Sequence, residues 1–332
     1  MTDPTWSAGD VSLWRGDCLD VMRGMDAGSV DAVVTDPPYF EIASEDWDKQ
    51  WDGINEWAQW CTLWGHELCR ILKDSGSALI FGDDKHIAYM QVALDKLEWG
   101  LLNNIVWSKT NYTALKASPE ALRSFAVQAE ERILYYGRDI SFPSFSEIRN
   151  PKAAQPMAKY MREERKRAGI SAKEIAALFP SKTGGMTGCV SNWELGLNFP
   201  LKEQYEKIRN YLNKCGEYDY MRREYEDMRR EYEDMRRPFN GNGLTDVWSG
   251  PAISSTHKMH PSHKPRWIID RCVLTITNPG DTVLDCFLGS GETGISCHKT
   301  GRRFMGIEID PGYFDIAVSR IQDAQRQPPL FV

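Results

Sequence analysis

Long apolar runs are missing from this chain: no stretch approaches the ~20 residues a membrane helix needs. The opening Met1 to Ser7 also lacks a basic segment followed by an apolar one. A spanning or exported protein is therefore not expected, and the reading places the chain in the cytosol. Cysteines are present but unorganised. The eight at Cys18, Cys61, Cys69, Cys189, Cys215, Cys272, Cys286 and Cys297 form no Cys-x-x-Cys pair, and no histidine stands at metal-ligand spacing. Reduced thiols and no metal are expected. A positive balance is missing too, with formal net charge -7. An evenly spread charge of that sign would disfavour a nucleic-acid partner. It is not even: residues 1–60 carry thirteen acids against three bases, whereas Met157 to Lys214 carries eleven bases against six acids.

What remains is an ordinary globular composition, 42% hydrophobic and 26% charged over 332 residues. That length suits one large α/β core with an insert or a small second domain. Short β-rich runs at Val11–Arg15, Asp31–Thr35, Ala78–Gly82, Asn104–Trp107 and Arg132–Tyr136 alternate with helical patterns. In one of these, Trp57, Trp60, Trp64, Leu68 and Ile71 recur at three- and four-residue steps, an apolar stripe for packing on a sheet. Alternation of this kind predicts a mostly parallel sheet with helices on both faces. From about Arg149 the chain turns helical and basic, and after Gly250 the α/β pattern returns with strands at Thr282–Cys286 and Phe304–Ile309. One sheet of about seven strands, split by an insert, is expected, with boundaries at 1–148, 149–245 and 246–332. Near the end of the insert, Tyr218 to Arg237 repeats Met-Arg-Arg-Glu-Tyr-Glu-Asp, with Tyr and Met in heptad spacing. Under three heptads is short for a free coiled coil, so this helix is expected to dock on its own domain.

Two segments carry chemistry. Asp36-Pro37-Pro38-Tyr39 follows the apolar run Ala32 to Thr35 directly. The prolines hold the backbone extended, giving a rigid turn at the carboxyl end of a strand, where open α/β sheets bind ligands. An exocyclic amino group of adenine or cytosine is a poor nucleophile because its lone pair is delocalised into the ring. A site that methylates it must accept its hydrogens and aim the lone pair. Asp36 and the Pro37 carbonyl can accept, and Tyr39 can stack on an extracted ring. A plain strand-ending turn is the other reading of the tetrapeptide. The second segment, Asp285 to Thr293, is a glycine-bearing turn after a strand, with Gly289 and Gly291 letting backbone approach a nucleoside. Glu308 ends the next strand, where a carboxylate bridges ribose hydroxyls. Alone, this turn also fits a dinucleotide fold.

Together with Gly16-Asp17-Cys18-Leu19 and with His260 to Pro265, these segments make the chain resemble the DNA amino-methyltransferases of the beta arrangement. There the Asp-Pro-Pro-Tyr half precedes the Phe-x-Gly-x-Gly half and target recognition lies between. The resemblance covers about residues 11–137 and 246–322. It implies a Rossmann-like S-adenosylmethionine-dependent methyltransferase fold with an inserted small helical domain, and methyl transfer to N6 of adenine in double-stranded DNA by base flipping. It assigns catalysis to Asp36, Pro37, Pro38 and Tyr39. For the cofactor it implies Asp17 and Cys18 at the adenine, Ser262, His263 and Lys264 near the methionine end, and Glu308 at the ribose. Asp36 and the loop of Asp285, Phe287, Gly289, Ser290, Gly291, Glu292 and Thr293 complete the set. The family commonly has Thr-Gln-Lys-Pro where this chain has Ser262-His263-Lys264-Pro265. His263 is read as a loop residue, not as a general base, because transfer from the neutral amine needs no prior deprotonation.

Met157 to Leu212 resembles a helix-turn-helix unit. A basic helix ends at Gly169, Ser171 and Glu174 form a capping box, and Thr187 to Gly196 supplies the recognition helix. Thr187, Ser191 and Asn192 are the expected base readers, and Arg167 and Lys182 the phosphate contacts. A packing-only insert is the alternative. Double-stranded DNA is the expected partner, without a membrane, and a homodimer is left open. Adenine is preferred because Asp at the first motif position mostly accompanies it in the family. N4-cytosine methylation, or an inactive helix-turn-helix regulator, are the rival readings.

Overall fold

The computed structural model describes residues 3–40, 50–110, 130–138, 151–181, 188–214, 220–235, 238–253 and 263–326. The chain divides into two compact units, Met1–Phe142 with Pro238–Val332, and Pro143–Arg237.

The first unit is built on nine strands among the described residues: β1 (Trp6–Ala8), β2 (Val11–Arg15), β3 (Val30–Thr35), β4 (Leu72–Gly82), β5 (Gly100–Lys109), β6 (Glu130–Gly137), β7 (Val247–Gly250), β8 (Thr282–Asp285) and β9 (Arg303–Glu308). Their order in the sheet is β1-β2-β9-β8-β3-β4-β6-β5-β7. All seven predicted strands are present. The two beyond the expected count are β1 and β7, both short. Pairing is parallel from β2 through β9, β8 and β3 to β4, and antiparallel where β6 lies between β4 and β5.

Helices cover both faces. On one lie α1 (Cys18–Arg23), α2 (Ile54–Ile71) and α3 (Ile87–Leu94), packed with the sheet into a core that includes Trp57, Trp64, Leu68 and Ile71. On the other, α9 (Arg266–Ile276), α10 (Glu292–Lys299) and α11 (Pro311–Gln325) contribute Ile268, Cys272, Ile295 and Ile321. Central β3 is apolar on both faces for this reason: Val30, Ala32, Val33 and Val34 are all fully buried.

The second unit holds α4 (Pro151–Arg167), α5 (Ala172–Ala177), α6 (Cys189–Glu194), α7 (Lys202–Lys214) and α8 (Tyr225–Met235). Gly169 takes the left-handed conformation after α4, at φ +72, and the Ser171–Glu174 capping box starts α5. Trp193 and Val190 of α6 join Ile175, Tyr205 and Ile208 in this unit's own core. The predicted heptad helix is shorter than its sequence period: α8 begins only at Tyr225, and Met221 stands before it at φ +52. Tyr225 and Met228 are buried in the same core, so the helix docks within its unit.

Candidate active site

Strand β3 ends in the Asp36 turn and β8 ends in the Phe287 loop, and the two strands are parallel neighbours, with Ala32 opposite Val283 and Val33 opposite Leu284. From this pair the chain proceeds outward in opposite directions, to β4 and to β9. The crevice beyond their carboxyl ends is thus the switch point of the sheet. The two loops are joined directly. Thr35 Oγ1 donates to Asp285 Oδ1 at 2.8 Å, and Asp285 Oδ2 accepts from Thr293 Oγ1 at 2.7 Å. Asp285 also accepts from the Phe287 amide at 3.2 Å, and burial pushes its carboxyl up to about 6.

One cleft is walled by Gly16, Asp17 and Cys18 on one side, Asp36 and Pro38 on another, and Phe287, Gly289 and Glu308 beneath. Glu308 accepts from the amides of Gly289 at 2.7 Å and Asp310 at 2.9 Å. Desolvation outweighs these bonds and pushes its carboxyl up to about 7. No cation accompanies it among the described residues' ion pairs, so it suits hydroxyl donors from a ligand. Gly289 and Gly291 take left-handed backbone, at φ +51 and +81. A Cβ on Gly291 would press on Ala317 of α11 at 3.0 Å, so the turn is tight as well as left-handed. Asp17 caps α1, its Oδ1 accepting from Leu19 at 2.8 Å and Asp20 at 3.3 Å. It reaches the cleft from that cap.

A second, narrower recess continues past Asp36 to His263, Lys264, Ser290, Glu292 and Thr293. Glu292 is tied down there. It accepts from Arg266 Nε and Arg320 at 2.5 Å each and faces His263 Nε2 at 3.2 Å. These partners overcome burial and hold its carboxyl down at about 2. Its role is to fix the first turn of α10 and to orient His263. Lys264, also on this recess, bonds the Asp36 turn: its Nζ donates to Asp36 Oδ2 at 2.6 Å.

The Asp36 turn is held from three directions. Tyr39 OH donates to Asp36 Oδ1 at 2.6 Å, Lys264 holds Oδ2, and Trp57 Nε1 donates to the Pro38 carbonyl at 3.0 Å. Burial raises the Asp36 carboxyl and nearby Lys264 opposes that rise. Among the other expected site residues, Pro37 is buried within the turn and Ser262 lies outside the described residues. Of the expected DNA contacts, Ser191 is exposed on α6 and Asn192 half-buried beside it, while Lys182 and Thr187 lie outside the described residues. Arg167 pairs with Glu164 at 2.8 Å and lies over the Tyr220 ring at 5.0 Å, with its side chain still half exposed.

Sequence reasoning did not find Trp57 and Trp60 as site residues. Their spacing marks a core helix, and Trp57 and Trp64 are core; only the packing shows Trp60 turned to the cleft, its ring 5.5 Å from Phe287. Gln50 and Tyr313, also on the cleft wall, carry no pattern in sequence. Among the described residues no group of His, Cys, Asp and Glu could hold a metal ion, and no helix is long and apolar enough to cross a membrane.

Known proteins are similar to this chain. The type II methyltransferase M2.DpnII of Streptococcus pneumoniae is 24% identical over 97% of this chain and 93% of its own length. The PvuII DNA methyltransferase, which is cytosine-N4-specific, has a TM-score of 0.56 over 98% of this chain and 94% of that one, at 13% identity. TTHA0409 of Thermus thermophilus, solved complexed with S-adenosyl-L-methionine, has a TM-score of 0.50 at 19% identity, covering 94% and 95%. At those identities the structural likeness carries the fold, a Rossmann-like methyltransferase sheet. The N6/N4 family profile described as DNA methylase matches residues 30–319, spanning the Asp36 turn, the insert and the Phe287 loop, and the chain therefore belongs to the DNA methylase family of amino-methyltransferases.

Proposed function

We propose that this DNA methylase transfers a methyl group from S-adenosylmethionine to the N6 amino nitrogen of adenine in double-stranded DNA, at a short site read by the helical insert. The observation that carries the reading is the joining of two loops at one switch point. The Asp36 turn, which can accept amino hydrogens, and the Phe287–Gly289 loop, which can cradle a nucleoside, line the same cleft and are linked through Thr35 and Asp285.

The residues present fit that cofactor. Glu308 is a buried carboxylate with raised proton affinity and no paired cation among the described residues, and two ribose hydroxyls would restore the hydrogen bonds it lacks. Phe287 and Trp60 offer apolar walls for the adenine. When bound, S-adenosylmethionine supplies an electrophilic methyl on a sulfonium. The chain's own residues do the rest. The base is swung out of the duplex, at a cost of a few kcal/mol of unstacking. An ionised Asp36 accepts one amino hydrogen and the Pro37 carbonyl the other, which directs the lone pair at the methyl carbon. Trp57 holds the neighbouring Pro38 carbonyl, so the backbone of the turn cannot rotate away. The proton is lost after transfer, to Asp36 or to water, so no group need deprotonate the amine beforehand.

Asp at the first position of the motif favours adenine over cytosine by resemblance to the family. Exposed Ser191 and half-buried Asn192 on α6, with Arg167 at the end of α4, support DNA reading by the insert. The test is transfer of tritiated methyl to unmethylated DNA, followed by digestion and mass spectrometry of the nucleosides. N6-methyladenine is the expected product, and N4-methylcytosine would overturn the base assignment. Loss of transfer in Asp36→Ala with DNA binding retained separates an enzyme from a regulator that only binds.

A further inference from the structure

Asp36 presents a geometric difficulty for the proposed reaction. An amino hydrogen must reach a carboxylate oxygen that already accepts one donor, Oδ1 from Tyr39 and Oδ2 from the Lys264 ammonium, so the entering donor either shares an oxygen or displaces one of the two. Lys264 is the partner better able to move, because its ammonium ends a flexible stem and carries three donors. It lies over the rings of Tyr39 and Phe81 at 5.3 and 5.4 Å, a surface along which it can shift without leaving aromatic contact.

A second anion stands within its reach. Glu131, on β6, has Oε2 at 3.3 Å from Lys264 Nζ. That oxygen is buried, and the Lys264 ammonium is the cation that faces it. The other oxygen, Oε1, is held by Lys109 of β5 at 2.8 Å. Lys264 and Lys109 together hold the Glu131 carboxyl below its ordinary value despite burial. The result is a row of alternating charges, Lys109, Glu131, Lys264 and Asp36, in which the Lys264 ammonium already faces both carboxylates, closer to Asp36 than to Glu131.

We propose that Glu131 is a positioning residue, taking the Lys264 ammonium when the target amino group replaces it on Asp36 Oδ2. Lysine then covers the catalytic carboxylate in the free enzyme, and only an entering amino donor uncovers it. Glu131 makes the exchange feasible because the displaced ammonium passes from one carboxylate to another and is never left unpaired in a buried site. The inference rests on Asp36 acting as amino acceptor, and it adds a residue outside both motif segments.

Kinetics on unmethylated phage DNA with tritiated S-adenosylmethionine test it. The charged or titratable groups facing Asp36 are Lys264, Tyr39 and Glu131, with Asp285 beyond, while Lys109 faces Glu131 and Asp83 faces Tyr39. Removing the Glu131 charge takes away an anion that raises the Asp36 carboxyl. Glu131→Gln should therefore lower kcat roughly tenfold or more and move the acid limb of kcat to lower pH. Glu131→Asp keeps the charge, so it should keep the wild-type limb and lose less kcat. Because Glu131 acts through Lys264, the kcat loss from either change should vanish in a Lys264→Met background. If Glu131→Gln does not fold, as judged by tryptophan fluorescence on adding cofactor, the Glu131→Asp cycle with Lys264→Met decides alone. A wild-type kcat with an unmoved limb in Glu131→Gln would overturn the proposal, as would kcat losses that multiply in the double variant. Those outcomes leave methyl transfer standing, whereas absence of transfer by the wild type would remove both readings.

Discussion

Glu292 opens α10 and Glu308 closes β9, both buried against the same crevice, yet one carboxyl is held at about 2 and the other pushed up to about 7. The difference lies in their company. Two arginines and a histidine surround Glu292, while Glu308 has two backbone amides and, among the described residues, no cation. A carboxylate matched with cations inside the fold is finished: it fixes structure and has little to offer a ligand. One left short of donors is a site in waiting, because a bound hydroxyl supplies what the protein withholds. Asp36 stands between these cases, desolvated like Glu308 but covered by Lys264 and Tyr39.

Substitutions at these acids should separate the roles. The largest effect is expected at Asp36, where Asp36→Ala should lower kcat by about a thousandfold or more with cofactor affinity within a few fold, measured by methyl transfer and fluorescence titration. An Asp36→Ala protein with near wild-type kcat would erase the distinction drawn for that acid. Next is Glu292→Gln, which leaves Arg266 and Arg320 without their buried anion. Because both arginines are partly exposed, a loss of about 2–4 kcal/mol is expected by denaturant unfolding. The sign of its pH dependence follows from the depressed carboxyl: the stabilisation is whole above the unfolded value of 4.5 and disappears as pH falls toward about 2. Wild type should lose its advantage over Glu292→Gln across that window and not at neutral pH.

Glu308→Gln should weaken cofactor binding about tenfold to a hundredfold above neutrality, the scale of hydrogen bonds to a charged group. Hydroxyl donors favour the ionised form, so wild-type affinity should rise with pH up to about 7 and level off, a dependence the glutamine variant lacks. Calorimetric titrations in buffers of different ionisation enthalpy would reveal the released proton, and a flat wild-type profile would contradict the assignment. The smallest change is Trp57→Phe, which removes one hydrogen bond to Pro38 and should lower kcat a few fold, for about 1 kcal/mol; an effect only on stability would make Trp57 purely core.

Much of the site is legible in sequence because its chemistry is local. Asp36 to Tyr39 and Asp285 to Thr293 each combine an apolar strand, a turn and polar groups within a few residues. Strand period and glycine or proline placement suffice to set them at strand ends. The edge strands β1 and β7 escape that reading because three or four residues are too few to show a period, and pairing with β2 and β5 creates them. Lys264 could be placed near the crevice by its motif but not on Asp36. That contact, like those of Glu131 and Trp60, joins parts of the chain far apart in sequence.

The insert shows the boundary most directly. Met-Arg-Arg-Glu-Tyr-Glu-Asp occurs at 221–227 and again at 228–234. The second copy lies within α8, whereas the first begins outside any helix, with Met221 in left-handed backbone. Local propensity is the same for both. The difference comes from α4, where Glu164 accepts from the Met221 amide at 2.6 Å and Tyr160 OH from the Arg223 amide at 3.1 Å. Composition and period determined that Met221, Tyr225 and Met228 would be buried, since apolar surface leaves water in either conformation. Which backbone carries them inward was decided by tertiary hydrogen bonds, as was the choice of which buried acid is satisfied by the protein and which awaits a ligand.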